Sequence, residues 1–262
     1  MNNSFLICRR IVGAAKRKAV EARRSKRIKR SKRILKGLKC AHSGERCFIV
    51  GNGPSLRLDD LEKIKEEFCF SSHRIYKIFN KTAWRPTYYC AQDYKLIEAS
   101  HQEIKSLRVK RKFIGFIKKN QIDYFSDSIF VDLLTDDFYP QLPNFSDDPI
   151  KGVYEGLTVT YMCLQLAVYM GFKNIYLLGI DHNYSVEREV DGRVISHPSV
   201  VNHFYSTDTM ENIPQPAKTT LAYQAARNYC ENHGISIFNA TRGGKLEVFQ
   251  RVDFDTVINS KP

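Results

Sequence analysis

The stretch "CFIVGNGPSLRLDDLEKIK", residues 47–65, decides the fold. Its apolar run from Cys47 to Val50 has the length and composition of a buried strand. The run stops at Gly51-Asn52-Gly53-Pro54-Ser55, and beyond it Leu58, Leu61 and Ile64 recur at helical spacing. A strand, a glycine-rich turn and a helix form the opening unit of a parallel α/β sheet. Two glycines, an amide, a proline and a hydroxyl exceed what a plain turn requires. Glycines let backbone N–H groups approach a phosphate or ribose, and Asn52 and Ser55 would add side-chain hydrogen bonds. The spacing matches neither standard phosphate loop. No Lys-Ser/Thr pair follows at the required distance, and Leu56 stands where the dinucleotide fingerprint needs its third glycine. A tight turn capped by Ser55 is the plain structural reading of the same residues.

Outward from this unit, strand and helix patterns alternate. "FCFSSHRIYKIF", "PTYYCAQD", "KFIGFI", "SIFVDLL", "NIYLLGID" and "ISIFNAT" read as strands. "LDDLEKIKEEF", "KLIEASHQEIKSL", "LTVTYMCLQLAVYMG" and "KTTLAYQAARNYCENHG" read as helices, the last two ending at Gly171 and Gly234 as left-handed caps. The Tyr161, Met162, Leu166, Tyr169 and Met170 series belongs to the helix packing, not to a ligand box. The fold class is therefore α/β, with a mostly parallel central sheet flanked by helices in a Rossmann-like arrangement.

Charge divides the chain. Of 41 Lys/Arg and 28 Asp/Glu, residues 1–40 hold 15 and one (Glu21), leaving 26 and 27 and a net of −1 for the remainder. The +13 excess thus sits in a basic N-terminal segment, residues 1–42, ahead of a single α/β domain over 43–262. A near-neutral body argues against nucleic-acid binding. The segment reads as a solvated charge run, a helix on an anionic membrane surface, or a nucleic-acid contact; the apolar "SFLIC" before it favours the membrane surface. Its apolar patch precedes the charges, the reverse of a secretory signal, and no apolar run approaches the roughly 20 residues a spanning helix needs. Seven cysteines, odd in number and without a C-x-x-C pair, fit a reducing cytoplasm and neither a disulfide framework nor a zinc site.

Several strands end in polar residues. Besides Gly51-Asn52-Gly53 these are Gln92-Asp93, Asp181-His182-Asn183-Tyr184 and Thr241-Arg242-Gly243-Gly244. In an open parallel sheet all carboxyl ends face one side, and ligands bind in the crevice there. Four such tips in one crevice outweigh any single motif.

"FIVGNGPSL" and "YMCLQLAVYMGFKNIYLLGID" resemble the glycosyltransferase family 42 sialyltransferases, and the chain is more similar still to the MptE-like group. "KTAWRPTYY", "GLTVTYMCLQLAVYMGFKNIYLLGIDHNY" and "FNATRGGKLEVFQRVDFD" look typical of that group, and the resemblance spans roughly residues 45–257. It implies the sialyltransferase variant of the fold, GT-A-like, with Gly51, Asn52, Gly53 and Ser55 at the nucleotide's phosphate and ribose. By the same resemblance, Thr158 lies near the donor sugar and Asp181 is the acid of the Gly179-Ile180-Asp181 turn. The chain also departs from the sialyltransferases. Asn183 stands where they have a tyrosine, with Tyr184 one place later; their catalytic histidine follows a tyrosine by three residues, whereas His203 here follows Val200, with Tyr205 beyond. Their second-strand asparagine falls near His73.

The implied chemistry is inverting, metal-independent transfer of a nonulosonic acid or related sugar from a CMP-activated donor to a surface glycan, with no cofactor beyond the donor. One near-neutral histidine would take the acceptor's proton, with His203 the candidate and His182 its rival. The hydroxyls of Tyr184 and Tyr205 or backbone amides would stabilise the departing phosphate, and the planar fork of Arg242 would neutralise that phosphate or the sugar's carboxylate. The alternative is pyrophosphoryl transfer from ATP to a pterin-like alcohol, with Mg²⁺ held by Asp93 and Asp181. Asp253-Phe254-Asp255 matches D-x-D only formally and reads as structural. The expected setting is the cytoplasm, peripheral to the inner face of the cell membrane through residues 1–40; homo-oligomerisation is left open.

Overall fold

The computed structural model describes residues 3–116, 125, 127–204 and 212–260, with side chains from residue 15 onward. In chain order its strands are β1 (Arg46–Val50), β2 (Cys69–Ser72), β3 (Tyr88–Ala91), β4 (Arg111–Phe116), β5 (Ile129–Leu134), β6 (Val153–Tyr154), β7 (Asn174–Leu178), β8 (Val186–Arg188), β9 (Val194–Ser196), β10 (Ser236–Asn239) and β11 (Gln250–Arg251). The helices are α1 (Asn3–Leu38), α2 (Leu58–Lys63), α3 (Tyr94–Ala99), α4 (His101–Ser106), α5 (Val159–Met170), α6 (Pro216–Asn232) and α7 (Phe254–Asn259). Nine strands form one sheet in the order β11-β10-β7-β1-β2-β3-β4-β5-β6, every pair parallel; β8 and β9 form a separate antiparallel hairpin.

The order contains one reversal. From β1 the chain steps outward to β6, then returns to β7 on the other flank of β1 and continues to β11. The helices leaving β1 and β7 therefore cover opposite faces, which opens a crevice at the carboxyl ends of these two strands. Period-two alternation shows directly in β1: Cys47 and Ile49 belong to the core under α5 and α6, Phe48 and Val50 to the core under α2 and α7. Both faces are buried, as parallel sheets require.

Helix α5 is apolar around nearly its whole circumference because it is the central helix, with only Val168 partly exposed. Its one interior amide, Gln165, is fully satisfied. Oε1 accepts from the Ser146 and Tyr154 N–H groups, each at 2.9 Å, and Nε2 donates to the carbonyls of Tyr154 and Tyr161. Gly171 closes α5 at φ 91°, the expected left-handed cap.

From residue 15 onward helix α1 carries mostly exposed basic side chains, and its carboxyl end is docked on the body. Leu35 is buried, the Tyr169 hydroxyl donates to the Leu35 carbonyl at 2.9 Å, and the buried Ser31 hydroxyl accepts from the Phe130 N–H at 2.9 Å. Among the described residues no helix is long and apolar enough to cross a membrane.

Three elements depart from the sequence reading. The strand expected over 68–79 stops at Ser72, where His73 adopts φ 51° and turns the chain into a 3-10 helix, His73–Ile78. The helix expected over 95–107 breaks at buried Ser100 into α3 and α4. The helix from Leu58 ends at Lys63, after which fully buried Ile64 leaves helical geometry. Elements β6, β8, β9 and β11 have two or three residues each, too few to display a period.

Candidate functional site

The crevice is a polar cleft of about 780 Å³. Its floor comes from the β1 and β7 turns (Gly51, Asn52, Gly53; Gly179 to Tyr184). One wall is the tips of β2 and β3 with His73, Arg74, Gln92 and Asp93; the other is the amino end of α5 with Glu155 and Leu157 to Thr160. The excursion between β7 and α6 covers it with Arg188, Asn202, His203 and Asn212 to Gln215. The described residues of that excursion are tied down. The Phe204 N–H donates to the Asn52 carbonyl at 3.1 Å, Asn202 exchanges hydrogen bonds with Ser185, and Asn212 Nδ2 donates to Asp93 Oδ2 at 2.5 Å.

Most of the predicted residues meet in this cleft: Gly51, Asn52, Gly53, Asp93, Thr158, Gly179, Asp181, His182, Tyr184 and His203 all line it. Tyr205 lies outside the described residues. Ser55 sits behind the floor, its hydroxyl donating to Asp181 Oδ2 at 2.7 Å.

Arg242 is placed elsewhere. Its Nε and Nη2 grip both oxygens of buried Asp60 at 2.8 and 3.0 Å, Nη2 also reaches Asp255 at 2.7 Å, and the guanidinium lies over the Phe254 ring. Nε and Nη2 of the fork expected to bind a phosphate or sugar carboxylate are thus held by carboxylates, and Arg242 is not among the residues that line the cleft. Those carboxylates push its proton affinity up, and Lys63 and Arg242 hold Asp255 down at about 2.

The two glycines line the cleft with their backbone already engaged. The Gly51 N–H donates to the Leu178 carbonyl at 2.8 Å and the Gly53 N–H to the Gly179 carbonyl at 2.9 Å, so neither amide is left for a phosphate. A Cβ at Gly51 would stand 2.4 Å from the Gly179 oxygen, and one at Gly53 would collide with the Asp181 carboxylate. The two glycines are needed because the β1 and β7 turns pack backbone to backbone. Asp181 completes that knot: its carbonyl accepts from the Lys245 N–H at 2.7 Å. Burial raises its carboxyl's pKa, partly offset by the Ser55 bonds.

Cleft residues also carry buried side-chain atoms with unmet hydrogen-bonding capacity. Among the described residues seven buried side-chain polar atoms lack a hydrogen-bond partner, and four belong to cleft residues: Asn52 Oδ1, His73 Nε2, Gln92 Oε1 and His182 Nδ1. Backbone strain gathers at the same place. Of four described non-glycine residues at positive φ, three line the cleft: His73 (51°), Leu157 (56°) and His182 (50°). Such conformations each cost on the order of 1–3 kcal/mol and collect at functional sites. Burial lowers the His73 pKa to about 4, with His203 and Arg74 adding to the effect and Asp93 opposing it. Burial likewise lowers His182 and raises Glu155 and Tyr184, so the two imidazoles are held neutral and the Tyr184 phenol protonated near pH 7.

His73, Gln92, Glu155 and Arg188 join the site without having been singled out as site residues from the sequence. His73 lay hidden inside an expected strand. The polar tip "AQD" pointed at Gln92, whereas the hairpin carrying Arg188 left no periodic trace.

Fold and cleft define a doubly wound α/β protein with a polar site at its topological switch point. The chain belongs to the MptE-like family: the family model described as 6-hydroxymethylpterin diphosphokinase MptE-like matches residues 21–187. Among solved structures, that of the MAf glycosyltransferase from Magnetospirillum magneticum AMB-1 is similar over 83% of this chain at 17% identity and a TM-score of 0.49. This chain spans 35% of the length of that one. No curated protein matches it in sequence.

Proposed function

We propose that the cleft is the active site of a sialyltransferase-like glycosyltransferase, which moves a nonulosonic acid or related sugar from a CMP-activated donor to a glycan hydroxyl with inversion. The observation that carries this reading is the gathering of four unpartnered polar atoms and three strained residues on one cleft at the switch point. A volume of about 780 Å³ suits a nucleotide with its sugar. Asn52 Oδ1 and Gln92 Oε1 supply acceptors for a base or sugar, and the protonated Tyr184 phenol supplies a donor. Positive charge for the phosphate comes from Arg74 and Arg188 and from the amino end of α5, where Thr158 is the N-cap. A cleft histidine removes the acceptor's proton; attack on the anomeric carbon then expels the nucleotide phosphate from the opposite face. The basic outer part of α1 holds the enzyme at an anionic membrane surface on the cytoplasmic side.

The family's description favours a second reading, pyrophosphoryl transfer from ATP to a pterin-like alcohol. The carboxylates do not fit the Mg²⁺ it requires. One Asp93 oxygen caps α3 and the other takes Asn212, the Asp181 carboxylate is wedged between Ser55 and Gly53, and burial favours the protonated form of Glu155. Calorimetry and turnover separate the readings. Binding of CMP without Mg²⁺, and CMP release from a CMP-nonulosonic acid in the presence of acceptor, support glycosyl transfer. Binding of ATP only with Mg²⁺, and AMP release with a pterin alcohol, would replace it.

A further inference from the structure

The His182 ring lines the cleft yet has one nitrogen committed elsewhere. Its Nε2 lies 2.9 Å from the hydroxyl of Thr220, one turn into α6, and that hydroxyl donates its only proton to the Pro216 carbonyl at 2.8 Å. Thr220 Oγ can then only accept, so Nε2 must carry the hydrogen. The opposite tautomer would leave a buried Nδ1–H without an acceptor, and would break the chain from ring to hydroxyl to carbonyl. The consequence falls on Nδ1: an unprotonated lone pair, buried, with no partner among the described residues.

We propose that His182 Nδ1 is the proton acceptor of the transfer reaction, and that Thr220 is a positioning residue that holds the ring in the tautomer this requires. The inference rests on the group-transfer reading of the cleft. The acceptor's O–H bond breaks and an N–H bond forms at Nδ1. The freed oxygen pair bonds to the anomeric carbon, whose bond to the phosphate oxygen breaks with its electrons leaving on the nucleotide. The imidazolium formed keeps its Nε2–H on Thr220. Groups facing the ring are Tyr184 and Tyr223, edge-on at 5.7 Å each, the Pro216 carbonyl that also accepts from Thr220, and Glu187; the carbonyl and the Glu187 charge both favour the imidazolium. The arrangement is base plus orienting group, with a helix hydroxyl as the orienter.

Imidazole ¹⁵N spectra of the full-length protein, with the His182 signals assigned by their loss in H182Q, test the tautomer without any turnover. The expected result is a proton on Nε2 and none on Nδ1; a proton on Nδ1 overturns the proposal. With a CMP-nonulosonic acid and acceptor, H182Q should lower kcat by about 10²- to 10⁴-fold. T220V should lower kcat at least about tenfold with KM little changed, and T220S should restore it. Wild-type kcat in T220V with a native circular-dichroism spectrum overturns the positioning role. Loss of chemistry in H203A with kcat intact in H182Q overturns the base assignment. Silence of the wild type with every donor overturns glycosyl transfer and with it the base role, while the spectrum still decides the tautomer that Thr220 imposes.

Discussion

Replacing Arg242 by alanine separates a structural cation from a substrate-binding one. The guanidinium holds both oxygens of Asp60, which is 2% exposed, and reaches Asp255 as well. Truncation leaves the Asp60 carboxylate buried and unpaired. Removing one partner of a buried pair costs about 3–5 kcal/mol, and because the Arg242 side chain keeps 23% of its exposure the low end applies, about 3 kcal/mol. For a chain of this length that corresponds to a melting point lowered by roughly 6–12 °C. Thermal unfolding measures the loss, and titration of CMP at 20 °C, where both proteins are folded, measures affinity. Stability should fall while affinity stays within about twofold, below the ~0.4 kcal/mol such a change represents. Unchanged melting with weakened nucleotide binding would return Arg242 to the active site.

Three further outcomes follow from the packing. G53A should destabilise by about 1–3 kcal/mol as the β1 and β7 turns are forced apart, read by urea unfolding; a neutral result would contradict their close approach. The folded protein holds His73 at about 4 against the usual 6.5, so the unfolded chain binds more protons between those values. Stability should therefore decline as pH falls from about 6.5 to 4, and H73Q should show a shallower decline; parallel curves would place His73 in an ordinary environment. Deleting residues 1–25 should abolish sedimentation with anionic vesicles at unchanged stability. Deletion through residue 40 should also lower stability by at least about 1.5–3 kcal/mol, since it removes buried Leu35. Equal vesicle binding by all forms would remove α1 from the membrane contact.

The fold was legible where burial is continuous. The runs "CFIV" and "YLL" mark strands covered on both faces, and the apolar circumference of α5 marks the helix between sheet and solvent-facing layers. The site was legible as a place, because polar tips on parallel strands must converge. Its detail was not, because the partners are distant in sequence. Gly53 is a glycine on account of Asp181, and Arg242 is neutralised by Asp60, 182 positions away. The positive φ of His73 and the bond from His182 to Thr220 likewise depend on tertiary packing, which no local pattern encodes.

The central claim is that the β1/β7 crevice is where an activated nucleotide binds, through side-chain atoms the fold leaves unmet. A crystal structure with CMP tests it most directly. The nucleotide should lie between the two strand tips, within hydrogen-bond distance of Asn52 Oδ1 and Gln92 Oε1. CMP bound elsewhere, or a cleft closed by the protein's own side chains, would contradict it.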